Sequence, residues 1–216
     1  MGFGLLFIGS FFAFIGLISI VRVVGFAVVI AASKKLKQYN SSFALLEMAG
    51  AVMTVISLVS FAADLVSWTI GEGYISENIL SVLGHVESIA LSLFALVLLW
   101  AIKNIAVDTD ERKIRVAAVR NAAFVIIYLG VYAVSILPFG FAKYFSMPAL
   151  IIWLVWAILT LVLVFSCYAG ICDEGDVDMA RKPSRFAFIN ELRAKSDERE
   201  REKEERRAER LKQRKK

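Results

Sequence analysis

Four side chains able to carry charge or move a proton stand inside stretches that are otherwise apolar: Arg22, Asp64, His85 and Glu87. Two carboxylates, an imidazole and a guanidinium can bind a cation, relay a proton or neutralise one another. In a hydrocarbon environment each is costly unless partnered, a central arginine by at least ~2.5 kcal/mol. Around them run hydroxyls and amides at helical spacing. Ser81, His85, Ser88 and Ser92 recur at steps of four, three and four, which places them within about 60° of one another on a helix, and Glu77 continues the line. Asn121, Tyr128, Tyr132 and Ser135 recur at seven, four and three, while Gly50, Thr54, Ser57 and Asp64 cover a broader face. Such stripes have two readings. They are small polar residues that pack helices together, at ~0.6 to 2 kcal/mol per hydrogen bond, or they line a hydrated cavity through Asp64, His85, Glu87, Tyr128 and Tyr132 that passes or senses a cation or proton. Glu87 points some 120° or more away from the serine stripe and must find a different helix; Arg22 is the natural partner.

Other chemistry has less to stand on. His85 is the only histidine, and Cys167 and Cys172, five apart, do not match the spacing of zinc or redox pairs. No metal, cofactor or disulfide is expected. The chain lacks G-x-S-x-G, H-E-x-x-H, a P-loop and a dinucleotide-binding glycine turn, so a non-enzymatic protein is expected.

The elements that position these groups follow from composition. Apolar residues make up 58% of the 216 and arrive in long blocks, the pattern of membrane spans rather than of amphipathic helices. Residues 147–170 hold no charge and measure roughly 36 Å as a helix. Further spans are expected at 45–68, 80–102 and 121–137. Between them, Lys34, Lys35 and Lys37 form one basic loop and Lys103, Arg112, Lys113, Arg115 and Arg120 a second, while the intervening loops are acidic or nearly uncharged. The positive-inside rule then puts the basic loops and the C-terminus in the cytoplasm. Aromatic residues cluster at both expected interfaces: Trp68, Tyr74, Phe141, Tyr144 and Trp153 at the outer, Tyr39, Trp100 and Tyr168 at the inner.

The N-terminal run from Gly2 to Ala32 is too long for one upright span, at roughly 46 Å against a core of ~30 Å, and as a single helix would bury Arg22 near its middle. A helical hairpin turning near 18–22 lets Arg22 reach the headgroups, and is preferred over one long tilted helix. The fold class is thus all-α, a polytopic helical membrane protein with six spans given the hairpin and five without it. MGFGLLFIG lacks a basic leader, so a cleaved signal is not expected.

Two units result: a transmembrane domain, 1–172, and a charged tail, 173–216, holding 15 Lys or Arg against 12 Asp or Glu. Asp173, Glu174, Asp176 and Asp178 read as a solvated acidic elbow rather than a calcium loop. Beyond them Phe186, Phe188 and Ile189 lie among Arg181, Lys182 and Arg185, suiting a short helix on anionic headgroups. The segment 197–216 pairs charges at four-residue spacing without a coiled-coil seam. Its four final cations could meet lipid phosphate, RNA or an acidic protein, but no aromatic residue there can stack on a base.

GFGLLFIG at the start and CDEGDVDMARKPSRF at the junction resemble an uncharacterised group of bacterial small multi-pass membrane proteins. The resemblance covers about a fifth of the chain and implies a bacterial plasma membrane and a helical membrane domain, with no activity to carry over; the Glu/Arg-rich tail departs from it. The expected function is to present a charged cytoplasmic helix to anionic lipid or to a protein partner. Two alternatives are a small transporter or channel using the polar stripes, and an insertase-like protein whose tail meets the ribosome. Nothing in the residues specifies an oligomeric state.

Overall fold

Long apolar side-chain blocks keep water away from the backbone, so each block satisfies its own N–H and C=O groups as a helix. The computed structural model describes residues 2–16, 19–70, 76–139 and 141–170, and among these it contains six α-helices and no strand. They are α1 (Gly2–Ile15), α2 (Ser19–Leu36), α3 (Ser42–Ile70), α4 (Glu77–Asp108), α5 (Arg112–Ser135) and α6 (Ser146–Gly170), with a 3₁₀ turn at Ala142–Phe145 before α6. Four of them, α3 to α6, are long and apolar enough to cross a membrane. The tail lies outside the described residues, and with it the expectations for Arg181, Lys182, Arg185, Phe186, Phe188 and Ile189.

Each helix packs on the next, and α1 also packs on α6, so the six close into a ring. Neighbours run antiparallel. One end of the ring, the basic end, gathers the N-terminus of α1, the α2–α3 and α4–α5 connections and the C-terminus of α6; it carries Lys34, Lys35, Lys37, Lys103, Arg112, Lys113, Arg115 and Arg120. The opposite end, the apex end, holds the α1–α2 connection.

The N-terminal run is broken in two, but earlier than expected: α1 stops at Ile15, Gly16 N–H still bonds to Phe12 O at 3.0 Å, and Arg22 lies inside the first turn of α2 rather than in a turn. Glycine sets the spacing of the two arms. A Cβ at Gly25 would lie 2.6 Å from the Ala13 nitrogen, and one at Gly9 would lie 2.8 Å from the Val29 nitrogen. The backbones therefore touch, a contact open only to residues without a side chain.

The basic stretch 103–120, expected to be a loop, is helical except at residues 109–111. Lys and Arg are good helix formers, so α4 and α5 continue past the apolar blocks. The break between them is a Schellman motif: Glu111 N–H bonds to Ala106 O at 2.9 Å and Asp110 N–H to Val107 O at 3.2 Å, with Asp110 at φ 52° in the left-handed region usually given to glycine. α5 accordingly starts nine residues before the expected span.

The ring's centre is solid. Phe14, Phe26, Phe94 and Trp156 meet edge to face, with centroids 5.1 to 6.3 Å apart, and none is more than 3% exposed. From there to the basic end, Leu6, Val29, Phe43, Leu46, Met53, Leu98, Leu99 and Ile102 continue the packing. Aromatic pairs in edge-to-face geometry contribute about 0.5 to 1.5 kcal/mol beyond their burial.

Candidate functional site: a polar layer at the hairpin apex

Polar side chains collect on the apex side of this aromatic centre. Arg22 reaches out from the first turn of α2, its side chain packed against Gly16 just past α1, where a Cβ would lie 2.9 Å from Arg22 Cγ. Its Nη1 lies 2.5 Å from Glu87 Oε1, with the Glu87 side chain 10% exposed and the Arg22 side chain 24%. The Ser60 hydroxyl of α3 donates to Glu87 Oε2 at 3.2 Å. Three helices are therefore joined by one buried carboxylate. One turn further toward the apex, the Ser19 hydroxyl donates to Asp64 Oδ2 at 2.5 Å, again joining α2 to α3. Of the two carboxylates, Glu87 is buried with Arg22 and Asp64 is the exposed member.

The other edge of α4 looks toward α5. His85 Nδ1 and the Tyr132 hydroxyl lie 2.8 Å apart, and His85 Nε2 lies 3.4 Å from the Ser81 hydroxyl, so both ring nitrogens meet a hydroxyl. Tyr132 stacks on Tyr128 at 5.4 Å, and Tyr128 lies 6.1 Å from Trp156. Asn121, two turns nearer the basic end, is not part of this group: its Nδ2 donates to Leu159 O of α6 at 2.9 Å.

The seven residues singled out in the sequence thus fall into four sets. Arg22 and Glu87 meet directly; Asp64 sits one turn away with Ser19; His85 of α4 joins Tyr132 and Tyr128 of α5; and Asn121 faces α6. Much of the remaining stripe is internal to single helices, since Thr54 donates to Gly50 O, Ser92 to Ser88 O and Ser135 to Tyr132 O. Those hydroxyls are satisfied by their own carbonyls and line nothing.

Sequence reasoning missed Ser19 and Ser60, which fall outside the stripes and act only as hydrogen-bond donors to carboxylates on another helix. It missed the polar side-chain contacts at the basic end as well. There Asn104 Nδ2 donates to Ser42 Oγ at 2.7 Å, Asn40 Nδ2 to Asp108 Oδ2 at 2.5 Å, and the Ser42 N–H to Asn40 Oδ1 at 2.8 Å, tying the α2–α3 connection to α4. An Asn two residues before a serine at a helix start is a readable capping signal. Glu47 lies 3.6 Å from Lys37 and 4.0 Å from Lys34. Among the described residues no three His, Cys, Asp or Glu side chains gather closely enough to hold a metal.

Chemically, the apex layer is a neutralised ion pair with one further, partly solvated carboxylate beside it, closed off by the Phe14–Phe26–Phe94–Trp156 centre. It can bind or exchange a proton or cation from the apex end, and the packed centre separates it from the basic end. No family model, no curated protein and no solved structure matches this chain.

Proposed function

We propose that the chain is a non-enzymatic, six-pass protein of a bacterial plasma membrane, with both ends of its membrane domain in the cytoplasm, and that it presents its charged C-terminal segment to anionic lipid or to a cytoplasmic protein. One observation carries this reading. Eight cations collect at the basic end against Glu47, Asp108, Asp110 and Glu111, whereas the residues toward the apex end include Arg22, held by Glu87, and Lys143 as cations. That asymmetry is the one the positive-inside rule requires, and α6 leads the chain back toward the basic end before the tail begins. The solid aromatic centre supports an anchor rather than a conduit. Photo-crosslinkers at Phe186 and Arg210 of the full chain in its native membrane test the reading. Adducts with anionic lipid or a cytoplasmic protein are expected, ribosomal adducts would favour the insertase-like alternative, and adducts with neither would end it.

A second reading, a small transporter of protons or cations, draws on the Arg22–Glu87–Ser60 layer with Asp64 and His85. Proteoliposomes carrying wild type, Asp64→Asn or His85→Ala test it. Flux lost in the variants supports transport, and equal flux in all three removes these residues from any pathway.

A further inference from the structure

The α1–α2 hairpin stops short of the apex ends of its neighbours. Contacts fix its level on each of them: Phe14 meets Trp156 of α6 at 5.4 Å, Ser19 bonds to Asp64 of α3, and Arg22 pairs with Glu87 of α4. Beyond those contacts α3 continues through residues 65–70, α4 through 77–86 and α6 through 146–155, roughly 9 Å of helix for the first and roughly 15 Å for the other two. The hairpin is also what separates α3 from α6, which do not touch each other. Above its apex the ring therefore has a notch. Exposure agrees: of the helical residues at 61–69, 77–86, 129–135 and 146–155, Ala149 alone is buried.

The face of α3 that meets the hairpin runs on into this notch. Ser57, Ser60, Asp64 and Trp68 follow at steps of three, four and four, within about 80° of one another. The first two are buried, whereas Asp64 is exposed and Trp68 is 86% exposed. Asp64 and Trp68, four residues apart, are neighbours on the helix surface, with Cβ atoms roughly 6 Å apart. On α4, Gly84 shares a face with the buried Glu87 and Leu91, yet a Cβ there would meet nothing within 4 Å.

Charge decides what the notch accepts. At its floor Arg22 is neutralised by Glu87, but Asp64 is bonded to a neutral hydroxyl, and no Lys or Arg among the described residues forms a salt bridge with it. An exposed carboxylate beside an exposed indole suits a cation with apolar substituents: the carboxylate meets the charge and the ring face adds a cation–π contact. A phospholipid phosphate would be repelled by Asp64.

We propose that the notch above the hairpin, between α3 and α6, is a binding site for a lipophilic organic cation entering from the membrane, with its charge on Asp64 and its apolar groups against Trp68. The site is separate from the anchoring role of the tail, and binding there does not require that the cation cross, so equilibrium binding tests it independently of flux.

The test measures binding of tetraphenylphosphonium to the full chain in zwitterionic lipid nanodiscs, with empty nanodiscs as the baseline for partition into lipid. Tetraphenylborate, of the same shape and opposite charge, is the control. Saturable binding of the phosphonium alone is expected. It should weaken about tenfold or more in Asp64→Asn and about two- to fivefold in Trp68→Ala, and stay unchanged in Trp100→Ala at the basic end. Melting temperatures report the fold; if Asp64→Asn disturbs it, Trp68→Ala, which removes an exposed side chain, decides alone. Phosphonium binding no greater than in empty nanodiscs, equal saturable binding of the borate, or wild-type affinity in Trp68→Ala or in a folded Asp64→Asn overturns the proposal.

Discussion

The α1–α2 hairpin and the α3–α6 set solve the same problem in different ways. The four later helices have 24 to 32 residues each and are long and apolar enough to cross a membrane unaided. The first two have 14 and 18 residues, and the second carries an arginine in its first turn. The short pair is held by what the long helices do not need: bare backbone contact at Gly9 and Gly25, an ion pair to α4, and a serine–carboxylate bond to α3. Where hydrophobic length is missing, specific contacts replace it. Since lipid tails are as apolar as leucine, these contacts rather than burial hold helices together.

The comparison is most severely strained at Glu87. Glu87→Leu leaves Arg22 charged and unpaired, and breaking a buried pair in this way typically costs about 3 to 5 kcal/mol, the lower end applying because the guanidinium is partly solvated. The measurable result is a large drop in melting temperature in detergent, with most of the stability recovered in the double variant Arg22→Met, Glu87→Leu. If the single variant melts like wild type, the hairpin does not depend on the ion pair.

A smaller effect is expected from the backbone contact. Gly25→Ala puts a methyl group 2.6 Å from the Ala13 nitrogen, where helix backbone cannot give way cheaply, and overpacking of this kind costs about 1 to 3 kcal/mol. Gly130→Ala on α5, where nothing lies within 4 Å, is the control and should be neutral or slightly stabilising. Equal melting of the two variants would dissolve the distinction between the helix sets.

Ser19→Ala removes one hydrogen bond to an exposed carboxylate and should cost about 0.5 to 1.5 kcal/mol, readable as a modest shift in the same melt. The smallest change is expected in the long set. Asp110→Gly relieves a left-handed residue at the end of α4 and should stabilise by a few tenths to about 1 kcal/mol, an increase in melting temperature with the fold unchanged.

Helix class and the positions of the four long apolar helices were legible because long apolar blocks satisfy their backbone groups as helices, and residues 147–170 show this almost without displacement, as α6 begins at Ser146. The break in the N-terminal run was legible from its length and from Arg22. Its location was not, because α1 stops at Ile15 where Gly16 packs closely against Arg22 of α2, a contact that hydropathy does not register. Continuation of α4 and α5 through 103–120 was hidden for a related reason: charge there signals departure from lipid, and it was mistaken for departure from helix. Within the site, spacing separated Glu87 from the serine stripe correctly in angle, yet Ser60 and Ser19 could not be named. Which hydroxyl reaches a carboxylate on a neighbouring helix depends on how the two helices are rotated against each other, and spacing within one helix carries no such information.

The central claim is that the basic end and the tail share the cytoplasmic side while the apex faces out. Single cysteines at Gln38, Thr109, Phe139 and Ser196, each in a chain with Cys167 and Cys172 replaced by alanine, can be probed with a membrane-impermeant maleimide in intact bacterial cells. The account predicts labelling at Phe139 alone, with Gln38, Thr109 and Ser196 reacting only after permeabilisation. Labelling of Thr109 or Ser196 in intact cells, or protection of Phe139 together with them, would contradict it.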